Sequence, residues 1–232
     1  MSEQRLFRTY VVPFVLFLAM NLLLWVVEGS WKWDHPSVGW YQRAPEMWVY
    51  PLQVLVCGGY LWYVRRGVEW DWKLGPCLLG VLAGVLGIGF WLVPYVAGWI
   101  PAEPGFDPVA VFGADSPAVW VEYGFRFARA VVIVALVEEF FWRGYLMRWC
   151  VNRDFPQLVP LGQGSWLAYG VVTLAFMLVH RPVDYAGALV YGSLAYALVV
   201  YTKRLTPVVV MHAVANLIMG ICAIKLNLPH LW

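Results

Sequence analysis

Two adjacent carboxylates, Glu138 and Glu139, stand in the apolar stretch Val137-Glu138-Glu139-Phe140-Phe141-Trp142-Arg143. An ionisable side chain inside such a run costs about 2.5–3.5 kcal/mol on insertion scales, so it needs a partner or a task. Glu139 and Arg143 are spaced i,i+4 with the acid first, the favourable order for a helical ion pair. Pairing would largely neutralise both groups in a low dielectric. Glu138 points about 100° away around a helix. It has no local counter-charge, which leaves its carboxylate free to act as a general base. The structural alternative is that both acids simply pair with Arg126, Arg129 or Arg143.

Two more polar sets lie further along. Phe176 and His180 share a helix face in Phe176-Met177-Leu178-Val179-His180; a lone histidine at a helix end is more often an interfacial or capping residue. His212 and Asn216 are again i,i+4, offering two hydrogen-bond donors toward one point. A polar clasp between helices would explain that pair equally well. Taken together, one base candidate, two imidazoles and one amide are the parts needed for water attack on a carbonyl.

These residues must be positioned by membrane-spanning helices. The chain has 232 residues, of which 62% are hydrophobic and only 13% charged, with a mean hydropathy of +0.65. A soluble domain is nearer half apolar and a quarter charged, so lipid must be the solvent. Apolar runs lie at 10–27, 47–64, 75–97, 127–149, 165–180, 183–202 and 206–224. The expected fold is all-α, a polytopic transmembrane helical bundle of about seven to eight spans. The first run is long for a signal peptide and no A-x-A pattern follows it, so a retained span is expected.

Basic residues favour one side by span parity: Arg5, Arg8, Arg65, Arg66, Lys73, Arg148, Arg153, Lys203 and Arg204. The positive-inside rule places that side, with the N-terminus, in the cytoplasm. Lys32, Arg43, Arg126, Arg129 and Arg181 count against this assignment. A net charge of +2 gives no ground for a nucleic-acid partner. Cys57, Cys77, Cys150 and Cys222 are scattered, with neither zinc-finger nor disulfide spacing. Trp31, Trp33, Trp40, Trp48, Trp70 and Trp72 suit the headgroup layer. Gly80, Gly84 and Gly87 form a small-residue stripe suited to close helix packing.

The ordered set E-E-x-x-x-R, F-x-x-x-H and H-x-x-x-N resembles the CPBP intramembrane proteases. That family includes the CAAX prenyl endoproteases and the bacteriocin-processing and immunity proteins. The likeness covers roughly the last hundred residues and suggests membrane spans with interfacial loops over 1–110 and a CPBP-like catalytic core over 111–232. It implies an intramembrane endopeptidase acting on a lipid-modified or membrane-embedded protein terminus; the lack of long soluble stretches in the sequence suggests a bacterial cytoplasmic membrane. Glu138 would activate water with help from His180. His212 and Asn216 would stabilise the oxyanion, while Glu139, Arg143 and Phe176 would be structural support. No cofactor is required by this reading, although Glu138, His180 and His212 could hold a zinc ion.

Span parity sets one difficulty, because His180 and His212 would differ in depth by roughly 15 Å. A shared site then needs a shortened or broken helix near Arg181-Pro182 or Thr206-Pro207. Other functions fit the same residues: a non-catalytic scaffold or immunity protein, or a proton-coupled transporter using a Glu/His relay. A transpeptidase using Cys150 is the most remote, since no histidine neighbours it in sequence.

Overall fold

The chain is seen in a computed structural model describing residues 1–35, 37–101 and 103–231, and all regular secondary structure among them is helical. A segment in lipid must bond its own backbone polar groups, and a single apolar run does so as a helix. Helix α1 (Glu3–Tyr10) begins on Ser2, whose hydroxyl accepts the Arg5 backbone N–H. It leads into α2 (Val12–Ser30), followed by α3 (Glu46–Val64) and α4 (Leu74–Val96). A continuous helical run over 117–151 is α5. The last three are α6 (Trp166–Leu178), α7 (Tyr185–Thr202) and α8 (Thr206–Lys225).

Among the described residues four stretches are long and apolar enough to cross a membrane: Glu3–Ser30, Leu74–Val96, Pro182–Thr202 and Thr206–Lys225. Their outer surfaces carry bare apolar side chains, among them Val15, Leu22, Trp25, Leu82 and Leu86. Water would not tolerate so dense an apolar exterior, so this is an integral membrane protein. Helix α3 has the length, but Gln53, Pro51 and several Tyr and Trp residues dilute its hydropathy. Helix α5 is interrupted by charge along its whole length, from Glu122 to Arg148.

The glycine stripe of α4 lies directly against α8. A Cβ on Gly84 would stand 2.6 Å from the Met211 carbonyl oxygen, and one on Gly80 would run into that of Pro207. Only glycine allows the two backbones to touch this way. Met211 precedes His212, so this contact sets the height of the second imidazole.

Helix α5 changes its winding around the two acids. Residues Ala128–Val134 and Phe140–Leu146 are π-helical and flank the α-helical Ala135–Glu139. Such wide turns shift the phase of a helix and recur at functional sites. Arg129 fastens α5 to its neighbours, donating to Gln53 Oε1 at 2.5 Å and Asn21 Oδ1 at 3.0 Å. Its hydrogen bonds therefore go to amides on α2 and α3 rather than to Glu138.

Helix α6 resolves the expected depth mismatch. Ser165 caps its start, accepting the Ala168 N–H at 3.0 Å, and its 13 residues rise only about 20 Å. The hydrocarbon core is about 30 Å thick. The chain then turns through the short Pro182–Asp184 helix and returns as α7. His180 thus lies in the turn after a shortened helix and not at the end of a full-length span. Pro207 sits within the first turn of α8, where its missing N–H costs nothing.

The loops at the two ends of the bundle differ. At one end Arg5 donates to the Arg66 carbonyl at 2.9 Å, Arg148 pairs with Glu69 at 2.7 Å, and Arg204 pairs with Asp71 at 2.6 Å. At the other end Arg181 reaches Glu103, and the Glu103 backbone N–H meets His230.

Candidate active site

One cavity of about 310 Å³ is lined by Glu138, His180, His212 and Asn216 together. It lies between α4, α5, α6, α7 and α8, and its lining also includes Arg181, Asp184 and His230, at the end away from the basic loops. A larger groove of about 940 Å³, between Pro160 and Lys203, contains none of the four. The residues that spacing singled out therefore converge on one enclosed space.

Glu139 and Arg143 are both fully buried, with Arg143 Nη1 3.0 Å from the carboxylate. This is the i,i+4 pair expected from the spacing. The same carboxylate reaches α8, where His212 Nδ1 stands 2.8 Å from Glu139 Oε1. The Glu139 carboxylate, paired with Arg143, accepts at this contact, so the His212 proton on that side sits on Nδ1. Arg143 Nη2 also lies 3.4 Å from the Gly192 carbonyl on α7. One buried ion pair thus ties α5 to both α7 and α8 and orients an imidazole.

His180 is fixed by parallel logic. Its Nδ1 lies 2.7 Å from the Phe176 carbonyl oxygen, which can only accept, so Nδ1 carries the proton and Nε2 the lone pair. The ring packs on Phe176 at 4.7 Å and edge-on to Trp91 at 5.1 Å. Phe176 also lies beneath the Arg143 guanidinium, 5.2 Å from its ring centre. The F-x-x-x-H spacing therefore supplies both the carbonyl that anchors the histidine and the ring that supports it.

In their neutral forms both histidines present Nε2 as an acceptor. This alters the expected role of His212, which donates through Nε2 only as an imidazolium. Asn216 is likewise half engaged, because its Nδ2 donates to the Ala130 carbonyl at 2.7 Å in the first π-helical stretch. One amide N–H remains. Asn216 and His212 therefore do not form a free pair of donors, since each is anchored by one hydrogen bond to α5.

Glu138 has no hydrogen bond among the described residues, and its Oε2 is buried. The Tyr191 hydroxyl is also buried without a partner, on a residue that lines the cavity with its ring 5.7 Å from that of His212. Sequence reasoning missed Tyr191, since a tyrosine in an apolar run carries no distinguishing spacing. It also missed Trp91 and Tyr95 on α4, within the 1–110 segment.

Among the described residues no three His, Cys, Asp or Glu side chains come together as a metal site needs. Glu138, His180 and His212 line the cavity without forming the compact ligand set a zinc ion demands. Cys150 is buried and unpaired, and the other three cysteines are free as well.

No curated protein and no solved structure matches the chain. A family model does match, described as Type II CAAX prenyl endopeptidase Rce1-like, over residues 120–218. That stretch runs from α5 into α8 and contains Glu138, Glu139, Arg143, Phe176, His180, His212 and Asn216. Over that segment the chain is similar to the CAAX prenyl endopeptidase family.

Proposed function

We propose that the cavity is the active site of an intramembrane endopeptidase that hydrolyses a peptide bond near the terminus of a lipid-modified or membrane-embedded protein. The observation that carries this reading is an unpartnered carboxylate, Glu138, sharing a cavity with two imidazoles of defined tautomer. Glu138 takes a proton from water, with His180 Nε2 accepting that water's second hydrogen and fixing its direction. The water oxygen bonds to the scissile carbonyl carbon, and the carbonyl electron pair moves onto its oxygen.

That oxyanion receives the free N–H of Asn216 and the O–H of Tyr191. His212 adds a third donor in its protonated form, which Glu139 stabilises as a buried carboxylate stabilises an imidazolium. Collapse restores the carbonyl, breaks the C–N bond and returns the proton from Glu138 to the leaving nitrogen. Atoms and charge balance with water as the one co-reactant.

In the same reading seven helical passes lie in a bacterial cytoplasmic membrane, α1 and α2 forming the first. The catalytic core corresponds to 111–232, and α4 contributes walls to its cavity. The basic end, with Arg5, Arg66, Arg148 and Arg204, faces the cytoplasm. The cavity mouth then faces the other side of the membrane.

The test is hydrolysis by the purified chain in liposomes, using a fluorescence-quenched S-farnesylated peptide as probe. The native chain should cleave it and Glu138→Gln should not. Turnover that survives in a correctly inserted Glu138→Gln protein would remove the general base from the mechanism and sink the proposal.

A further inference from the structure

A second set of side chains takes no part in bond cleavage and stands where the cavity meets the end of the bundle. Asp184 is buried and fully engaged there. Its Oδ1 accepts the Trp91 Nε1–H at 2.9 Å and the Tyr95 hydroxyl at 2.5 Å, and its Oδ2 accepts the Arg181 Nε–H at 3.2 Å. Arg181 also donates from Nη2 to the Tyr95 oxygen at 2.9 Å. These bonds fix the guanidinium in place. Its Nη1 has a weaker occupation, a 3.5 Å contact with Glu103, whose side chain is 59% exposed.

His230 lines the same cavity and is 7% exposed. Its Nδ1 accepts the Glu103 backbone N–H at 3.3 Å, so the neutral ring carries its proton on Nε2. Among the described residues that Nε2 is buried and has no partner, a condition native interiors avoid unless a ligand or water completes it. The approach of the 103–106 segment to His230 depends on Gly105, where a Cβ would run into the Pro229 carbonyl. The placement of the orphan donor is therefore built into two loops.

We propose that Arg181 and His230 form a carboxylate subsite that receives the free C-terminus of the peptide being cleaved. The identity of the ligand rests on the peptidase reading; the subsite itself rests on the fixed guanidinium and the orphan N–H. Guanidinium binds carboxylate through paired, charge-assisted hydrogen bonds. Glu103 already shows that this face of Arg181 accepts a carboxylate, and its exposed side chain can swing into solvent. Asp184 offsets part of the Arg181 charge, so the site suits a monoanion better than a phosphate dianion. The cavity continues from this subsite to Glu138, which places cleavage a short distance upstream of a peptide's end.

Binding is measured on the full chain in detergent micelles, with Glu138→Gln present so that nothing turns over. The probe is a fluorescent S-farnesylated hexapeptide with a free C-terminus, compared with its C-terminal amide by anisotropy. The acid should bind about tenfold more tightly than the amide. Arg181→Gln or His230→Phe should remove most of that preference. Glu103→Gln alters an exposed side chain with little risk to folding, and should tighten the acid several-fold by removing the competing carboxylate.

Equal binding of acid and amide, or no binding of either, overturns the proposal. So does competition by phosphatidylglycerol that the peptide acid cannot reverse, which would assign the site to a lipid headgroup. An acid preference lost on Arg181→Gln, in a chain whose native form cleaves neither peptide, supports the subsite and removes the peptidase reading alone.

Discussion

Glu139 offers a way to separate holding the fold from orienting the chemistry. It is fully buried, and its carboxylate receives both Arg143 and His212. Glu139→Ala strands the Arg143 charge at a site with no exposure, and breaking a buried pair from one side costs about 3–5 kcal/mol. The variant should therefore melt far earlier than the native chain or fail to accumulate in membranes. Glu139→Ala combined with Arg143→Met removes both charges, and such replacements are often close to neutral for stability.

The double variant should fold, yet His212 would lose the acceptor that sets its tautomer and holds its protonated form. Its rate of peptide hydrolysis should fall by roughly 10²–10⁴-fold, as when the orienting acid of a catalytic histidine is lost. The assay pairs thermal melting in micelles with hydrolysis in liposomes. A single variant as stable as the native chain would refute the buried-pair argument. A folded double variant with native activity would refute the role given to His212.

Other outcomes follow from the same geometry. Tyr191→Phe removes a buried hydroxyl that has no partner among the described residues, so the melting temperature should hold or rise while kcat falls on the order of 10²-fold at unchanged KM. Matching kcat values for the two proteins would take Tyr191 out of the oxyanion site. Gly84→Ala places a Cβ 2.6 Å from the Met211 carbonyl and should cost about 1–3 kcal/mol from overpacking, with a slower rate because His212 moves with that carbonyl. Gly89→Ala, with open space around it, is the control, and equal melting of the two variants would contradict the close α4–α8 contact. For orientation, a cysteine introduced at Glu103 should react with an impermeant maleimide from outside whole cells, and one at Arg66 should not. The reverse pattern would invert the assigned topology.

Much of this was legible in the sequence, because helical spacing alone puts Glu139 and Arg143 on one face and Phe176 one turn before His180. Glu138 stood out for the same reason, as an acid with no neighbour to pair with. What spacing could not give were the partners from distant parts of the chain. Nothing local links His212 to Glu139, or Asn216 to the Ala130 carbonyl, because each bond joins α8 to α5 through tertiary packing.

Arg129 was just as open to an acid partner until Gln53 and Asn21 were seen to claim it. The short reach of α6 was masked by an apolar run that continues past its end, with Pro182 as the one local sign of a turn. Arg181 and His230 lie 49 residues apart in sequence (230 − 181) and share a cavity only because α7 and α8 bring the chain back.

The most direct test of the account is a comparison of protein termini in membranes from host cells expressing the native chain or Glu138→Ala at equal levels. The account predicts new N- or C-termini with the native chain that are absent with Glu138→Ala, and these would also identify the substrate. Identical termini in the two samples, with both proteins stably inserted, would contradict a hydrolytic role and leave a membrane scaffold or immunity protein on the same fold.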